Sequence, residues 1–285
     1  MRQRAKESSR GGDWMGKAAP LVLDSVTHLA ADAAGRAALC ASHGGIYAAW
    51  YAARRGVSAV ILHDAGVGRE RAGIGGLDWL ADRGVPGACV GHMTARIGDG
   101  ADMLARGRLS AVNAPAAALG LTGGMAAQAA LSVLAAAGLP PATTGGTLDE
   151  ARREIEGAGR GGVRVIVLDS NGLVGPGDSG HVVVTGSHGG LLGGRPETAV
   201  KAQVAAALYN DAGIGVDDAG ISRLPALDAR GIAGACVSCF SARIGDGMST
   251  WQDGFVSALN PLAAARGGRI GQSARDFVAA MLEHV

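Results

Sequence analysis

Two short polar motifs each occur twice in the chain. Ser-His-Gly-Gly stands at residues 42–45 and 187–190, and Ala-Arg-Ile-Gly-Asp-Gly stands at 95–100 and 242–247. A hydroxyl beside an imidazole, followed by glycines whose N–H groups can approach a ligand, suits nucleophilic or acid–base chemistry at a group that develops negative charge. The guanidinium of the second motif can bind a carboxylate or phosphate through two parallel hydrogen bonds. Together the motifs indicate an enzyme that acts on a small anionic metabolite.

The candidate site residues come from these motifs and from a repeated Asp-Ala-Gly. The candidate catalytic residues carry hydroxyl, imidazole, carboxylate or thiol groups: Ser42, His43, Asp64, Ser187, His188, Asp211 and Cys239. The candidate substrate-binding residues are arginines, the acids that follow them, motif glycines and one serine: Arg96, Asp99, Arg243, Asp246, Gly44, Gly45, Gly189, Gly190 and Ser241. Cys239 stands where the first copy has His92, so its thiol could act as a nucleophile or as an acid–base group.

Each motif also has a structural interpretation. Ser42 and Ser187 could cap turns, and the aspartate of Asp-Ala-Gly could either orient a histidine or cap the turn that follows it. The arginine could form an internal ion pair with the aspartate three residues later. Some residues of the first copy are of types that bind metal ions, namely His43, His63, Asp64 and His92. They have no regular ligand spacing, so we predict no metal. No Walker sequence or complete Gly-x-Gly-x-x-Gly occurs, so we predict no cofactor.

The motifs belong to a long internal repeat. Val-Leu-Asp-Ser at 22–25 recurs at 167–170 with the 145-residue offset that Ser-His-Gly-Gly shares. Asp-Ala-Gly-Val-Gly at 64–68 recurs as Asp-Ala-Gly-Ile-Gly at 211–215 with the 147-residue offset of the arginine motif. A single two-residue insertion reconciles both offsets. The pattern predicts two homologous lobes, related by a pseudo-twofold axis, with a cleft between them.

Short β-branched runs alternate with helical runs in each copy. We predict strands at 38–41, 58–63, 87–91, 163–169 and 181–185, and helices at 46–55, 77–83 and 196–209. Strands separated by helices that end in glycine predict an α/β fold with a mainly parallel sheet in each lobe. Ligands bind at the carboxyl ends of parallel strands, where the polar motifs fall, so the motifs should converge on one cleft.

The repeat and the composition between its copies divide the chain into four segments. We predict a flexible arm at 1–17, a first α/β repeat at 18–141, a connecting segment rich in glycine and charge at 142–162, and a second repeat at 163–285.

The segments 38–65 and 182–212 resemble the nucleophile elbow of α/β hydrolases, in which a serine sits on a sharp turn from a strand to a helix. That resemblance implies a serine nucleophile. With the glycine N–H groups as an oxyanion site and the arginine as a carboxylate ligand, our leading prediction is hydrolysis of an amide, lactam or ester in the cleft between the lobes. The chain departs from the family by having two such elbows. The alternatives are a cofactor-independent isomerase or lyase with paired acid–base groups, Cys239 lying opposite His92 or His43, and a non-catalytic protein that binds a small anion.

Composition excludes several other classes. Lys and Arg number 26 against 25 Asp and Glu, and aromatic residues are 4% of the chain, so we expect no nucleic-acid partner. Apolar runs fall short of the roughly 18 residues that span a bilayer, and the N-terminus lacks the apolar region of a secretory signal, so we expect no membrane partner. Four cysteines within apolar segments favour free thiols in a reducing cytoplasm. We therefore expect a cytoplasmic protein, and we further expect a homo-oligomer.

Overall fold

The computed structural model describes residues 19–285, so the arm predicted at 1–17 lies outside the described residues. The first sheet has five strands, which lie side by side in chain order. They are β1 (Leu21–Leu23), β2 (Ala37–His43), β3 (Ala59–His63), β4 (Gly87–Val90) and β5 (Leu109–Val112). The first four are parallel, and β5 runs antiparallel to β4 at the edge.

Helices cover both faces of this sheet. They are α1 (Ile46–Arg54), α2 (Gly76–Ala81), α3 (Gly100–Arg106), α4 (Ala114–Ala118) and α5 (Ala127–Ala136). Alternate residues of the buried strands point to opposite faces. Ala38 and Cys40 of β2 therefore pack with α1 and α2, whereas Leu39 and Ala41 pack with α3 and α5.

The second sheet has six strands, again in chain order. They are β6 (Arg152–Glu154), β7 (Val165–Leu168), β8 (Val182–His188), β9 (Ala206–Asn210), β10 (Ala233–Val237) and β11 (Val256–Leu259). Strands β7 to β10 are parallel, and the edge strands β6 and β11 are antiparallel to their neighbours. The accompanying helices are α6 (Arg223–Asp228), α7 (Gly247–Asp253), α8 (Pro261–Ala265) and α9 (Ala274–Leu282).

Two mixed, mostly parallel sheets with interleaved helices make this an α/β fold, which confirms the predicted class. We call β1–β5 with α1–α5 the first lobe and β6–β11 with α6–α9 the second lobe. The segment predicted as a connection, 142–162, supplies edge strand β6. All four cysteines of the chain are free and buried, as predicted. Within residues 19–285 no helix is long and apolar enough to cross a bilayer.

The helix predicted at 196–209 is wrong. The structure has one turn of 3-10 helix at Pro196–Thr198, and the alanine-rich end of the segment is strand β9. A central strand is buried on both faces, so it carries no alternation to distinguish it from a buried helix. Consequently the first Ser-His-Gly-Gly motif leads into α1, whereas the second leads into 3-10 turns at Leu192–Gly194 and Pro196–Thr198.

The lobes meet through two loops of left-handed backbone, residues 65–68 and 212–215. Every residue in both loops has positive φ, between 49° and 77°. Gly66 packs on Gly213 so closely that a Cβ on either would lie 2.8 Å from the other's Cα. Beside this contact, the N–H group of Arg69 donates to the carbonyl of Cys239 (2.8 Å), and that of Val216 donates to the carbonyl of His92 (2.9 Å). These bonds tie the first lobe to the second.

Candidate functional site

Residues of both lobes line a cavity of about 840 Å³. This volume is in the range of small-molecule sites. Both Ser-His-Gly-Gly motifs reach it, through Ser42, His43, Ser187 and His188. Of the two arginine motifs, only residues 243–246 are among the described residues that line it. The predicted convergence on one cavity therefore extends to both serine–histidine motifs and to one arginine motif.

His43 and His188 are held in the same way. The N–H of Gly45 donates to Nδ1 of His43 (3.2 Å), and the N–H of Gly190 donates to Nδ1 of His188 (3.1 Å). Since Nδ1 accepts a hydrogen bond in each ring, the proton of the neutral ring lies on Nε2. Among residues 19–285 neither Nε2 has a hydrogen-bond partner.

Burial keeps both rings neutral. It lowers the pKa of His43 to about 4, with a smaller contribution from His63. Burial also lowers the pKa of His188 well below its usual range, and the charges of Arg223 and His43 act in the same direction. The two rings are thus close enough to influence each other. At neutral pH each offers the cavity an uncharged Nε2–H group.

The hydroxyls of Ser42 and Ser187 are hydrogen-bonded to backbone N–H groups and, within residues 19–285, not to a histidine ring. The N–H of Val26 donates to Oγ of Ser42 (2.9 Å), and the N–H of Asn171 donates to Oγ of Ser187 (2.8 Å). Among the described residues, no histidine is hydrogen-bonded to either hydroxyl. Both serines lie within strands, β2 and β8, and not on the turn that follows, and the second strand leads into 3-10 turns instead of an α-helix, so these positions differ from the serine of the hydrolase elbow. A nucleophilic role for either serine stays a prediction.

Asp64 and Asp211 organise the loops between the lobes. Oδ1 of Asp64 accepts from the N–H groups of Gly66 (3.0 Å) and His92 (2.9 Å), and it lies 3.0 Å from Nδ1 of His92. Burial acts to raise the pKa of Asp64, but the hydrogen bond from His92 and the nearby histidine charges outweigh it, so the pKa is lowered. Asp211 accepts in the same way from Gly213 and Cys239, both at 2.9 Å. Both are turn-forming carboxylates outside the cavity lining.

Cys239 is a protonated thiol at neutral pH. Burial raises its pKa to about 12, and the Asp211 carboxylate adds to the effect. The residue touches the contact between the lobes, where Sγ would lie 3.1 Å from a Cβ placed on Gly66, and it is not among the residues that line the cavity. Ser241 also lies at this contact, where its carbonyl accepts from Nη1 of Arg69 (2.7 Å). The nucleophilic form of Cys239, the thiolate, is therefore disfavoured.

Both predicted anion-binding arginines are already paired with carboxylates. Arg96 lies 3.3 Å from Asp99, 3.0 Å from Asp102 and 3.6 Å from Asp217. Arg243 lies 2.9 Å from Asp246 and 3.3 Å from Glu70, which belongs to the opposite lobe. These contacts match the internal-pair interpretation. A substrate-binding role stays a prediction, more readily for Arg243, which lines the cavity, than for Arg96, which does not.

His63 in the first lobe and Asn210 in the second make equivalent pairs of hydrogen bonds to the backbone. Nε2 of His63 donates to the carbonyl of Ala95 (3.0 Å), and Nδ1 accepts from the N–H of Ala65 (3.1 Å). Asn210, 147 residues later, donates to the carbonyl of Ala242 (3.1 Å) and accepts from the N–H of Ala212 (3.0 Å). Within residues 19–285 no group of three or more His, Cys, Asp or Glu side chains could hold a metal ion.

We expect His63→Asn to change the free energy of unfolding by about 1 kcal/mol or less, because the amide can make the same two bonds. His63→Ala should cost about 1 to 3 kcal/mol, since it leaves a buried donor and acceptor unpaired. Urea denaturation of both variants measures the difference. Equal losses in the two variants would contradict this role.

The charged residues of the cavity that the sequence did not indicate include Arg223 and Glu150. Arg223 is 3% exposed and lines the cavity, and its only sequence signal is a lone arginine in an otherwise apolar run. Glu150 also lines the cavity, although it lies in the segment predicted as a connection. Burial raises the pKa of Glu150, against the opposing interactions with Ser170 and Tyr47.

Comparison with known proteins yields no relative: no family model, no curated protein and no solved structure matches the chain. The cavity itself combines two neutral imidazoles, a buried guanidinium and a partly buried carboxylate.

Proposed function

We propose that this protein is an enzyme that transfers a proton on a small carboxylated metabolite, as a cofactor-independent isomerase or lyase. The observation that carries the proposal is the pair of neutral imidazoles, His43 and His188, whose Nε2–H groups have no partner among the described residues. Two such donors on one cavity suit a substrate oxygen that gains negative charge during the reaction.

In this mechanism the imidazoles act as hydrogen-bond donors and not as bases. Each Nδ1 faces a backbone N–H group, so the tautomer that would leave Nε2 free to accept a proton loses that bond. A neutral imidazole donates to the carbonyl oxygen of the substrate and strengthens this bond as the oxygen becomes an enolate. Because the pKa values of the rings are lowered, they remain uncharged while they do so.

The base in the proposed mechanism is Glu150. A carboxylate whose pKa is raised by burial is a better proton acceptor at neutral pH than an exposed one. The carboxylate removes the proton from the carbon beside the carbonyl, and the electron pair of that C–H bond moves into the enolate. An isomerase returns the proton to another position, and a lyase lets a leaving group depart with the electron pair of its bond.

Hydrolysis of an amide, lactam or ester is the second candidate. The observation in its favour is that the hydroxyls of Ser42 and Ser187 line the same cavity as the two imidazoles. The same Nε2–H groups would stabilise a tetrahedral oxyanion as well as an enolate. Proton transfer is preferred because each hydroxyl accepts a backbone hydrogen bond and none has a histidine base.

The proposal includes an internal duplication with a pseudo-twofold axis that passes near Gly66 and Gly213. Reciprocal contacts support it: Arg243 pairs with Glu70, and Arg96 pairs with Asp217, which are equivalent pairs at the 147-residue offset. The predicted division of the chain, a homo-oligomeric state and a cytoplasmic location belong to the same proposal and stay predictions.

The test is hydrogen–deuterium exchange of substrate protons. The protein is incubated in D₂O with a panel of 2-oxo, 3-oxo and 2-hydroxy carboxylic acids, and proton NMR follows the C–H signals beside the ketone carbonyl of the oxo acids and at C2 of the hydroxy acids. We expect exchange in at least one compound, reduced about 10²- to 10³-fold by His43→Ala or His188→Ala. His284→Ala is the matched control, because His284 is exposed at the C-terminus and outside the cavity lining.

The other outcomes separate the alternatives. Release of an alcohol or amine from a second panel of carboxylated esters, lactams and amides, without exchange in the first panel, would identify a hydrolase. A compound that raises the melting temperature but undergoes neither reaction would identify a binding protein.

A further inference from the structure

Arg223 carries a buried positive charge without a counter-ion. Its side chain is 3% exposed, and no carboxylate within residues 19–285 forms an ion pair with it. Nε donates to the carbonyl of His188 (3.2 Å), and Nη1 donates to the carbonyls of Thr198 and Ala199. Nη2 has no hydrogen-bond partner among the described residues, and since none of their fully buried side-chain nitrogens lacks one, Nη2 is accessible to the cavity that the residue lines.

Such a charge is costly. A buried ion needs a partner of opposite charge or a complete set of hydrogen bonds, and three carbonyl bonds supply only part of it. Burial lowers the pKa of Arg223, which is the electrostatic consequence of this environment. The other cavity cations differ: Arg243 is paired with Asp246 and Glu70, and Lys201 is exposed to solvent. Of these three cations, only Arg223 would gain a missing counter-ion and a missing hydrogen bond from an anion in the cavity.

The position has no equivalent in the first lobe. At the 147-residue offset, Arg223 corresponds to Gly76, where a Cβ would lie 2.6 Å from the carbonyl oxygen of Gly45 and 2.7 Å from Cβ of Ala49 in α1. No side chain fits there. In the second lobe the place of α1 is taken by 3-10 turns, and the Arg223 guanidinium reaches the carbonyls of the second of them. The irregular segment therefore creates the room that this arginine occupies.

We infer that Arg223 is the anion-binding residue of the cavity and that Nη2 binds the carboxylate or phosphate group of the ligand. Because the first lobe offers no second guanidinium at Gly76, the ligand binds in one orientation, with its anionic end on the side of His188. This inference rests on the proposed function for the identity of the cavity as the substrate site, but the binding step does not require catalysis.

The experiment measures the affinity of simple anions. Acetate, succinate and inorganic phosphate are titrated into the protein at constant ionic strength, followed by isothermal titration and by the melting temperature. We expect at least one to bind, with carboxylates and phosphate distinguished by their separate affinities. Arg223→Met should weaken this binding about 30-fold or more, because it removes a charge-assisted bond. Arg195→Met, which removes an exposed guanidinium outside the cavity lining, should change it less than about threefold.

Arg223→Met also removes the guanidinium donor of three backbone carbonyls, of which that of Ala199 still accepts from the hydroxyl of Tyr209 (3.1 Å), so a second variant and a second measurement are included. Arg223→Lys keeps the charge but not the planar fork, and it should bind the anion more weakly than the wild type while retaining a native near-ultraviolet spectrum. Wild-type crystals soaked in selenate should place the selenium within hydrogen-bonding reach of Nη2, which requires no variant.

Three results would overturn the inference: no binding of any of the three anions, wild-type affinity in Arg223→Lys, or selenium bound elsewhere in the cavity. These outcomes are independent of the exchange assay. Anion binding that depends on Arg223, without proton exchange in any compound, would refute the proposed reaction and leave the anion site in place. Proton exchange together with unaltered anion affinity in Arg223→Lys would refute the anion site and leave the proposed reaction in place.

Discussion

Gly66→Ala and Gly213→Ala are each expected to lower the free energy of unfolding by about 2 to 5 kcal/mol. Both glycines have φ near +75°, where a Cβ is unfavourable. In addition, the new Cβ would lie 2.8 Å from the Cα of the opposing glycine, so backbone on backbone has to move. Urea denaturation measures the loss.

Gly84 and Gly231 are the matched controls. They have φ of 67° and 68°, and a Cβ on either would meet nothing within 4 Å. Their alanine variants should lose only the conformational part, about 1 to 2 kcal/mol. If all four variants lost the same amount, the contact between Gly66 and Gly213 would contribute nothing to stability.

Acid is expected to destabilise the folded protein between about pH 6.5 and pH 4. The pKa of His43 is about 4 in the folded state, against 6.5 for an ordinary histidine, so in this window the unfolded chain binds a proton that the folded chain does not. The free energy of unfolding therefore falls as the pH falls, by about 3 kcal/mol from His43 alone. His188, whose pKa is also lowered, acts in the same direction.

Two groups oppose this trend. The pKa of His92 is raised, mainly by its hydrogen bond with Asp64, and burial raises the pKa of Glu150, so both groups add stability as the pH falls. Denaturation at about pH 7 and about pH 5 measures the net effect. The double variant His43→Asn, His188→Asn should reduce the pH dependence, of which His63, whose pKa is also lowered by burial, keeps a part, and His284→Ala should leave it unchanged. A wild-type stability that is constant or rises toward pH 5 would contradict buried neutral rings at these two positions.

The histidines of the cavity were the most predictable part of the site. Each stands at the end of a buried strand and before two glycines, and the ends of parallel strands meet at one edge of a sheet. That placement follows from local pattern. The bonds that choose a role for each side chain do not: Oγ of Ser42 is held by the backbone of Val26. The hydroxyl beside an imidazole in sequence is thus separated from it in hydrogen bonding, since neighbouring residues on a strand point to opposite sides.

The prediction of a helix at 196–209 is wrong for a related reason. Its alanine-rich end becomes strand β9 because its neighbours β8 and β10 pair with it on both sides, and tertiary pairing overrides the weak preference of alanine for helix. The first copy of the repeat points to the strand, since at the 147-residue offset the strand predicted at 58–63 falls on residues 205–210.

The sequence by itself determined the α/β class, the free thiols and the strand-end positions of His43 and His188, because these depend on residues close together in the chain. Only the tertiary structure decided which buried cation of the cavity is without a counter-ion. Arg243 finds Glu70 across the contact between the lobes, whereas Arg223 meets backbone carbonyls where the first lobe has a helix. The charge of an arginine is fixed by its chemistry, but whether that charge is neutralised or available to a ligand depends on partners that folding brings from distant parts of the chain.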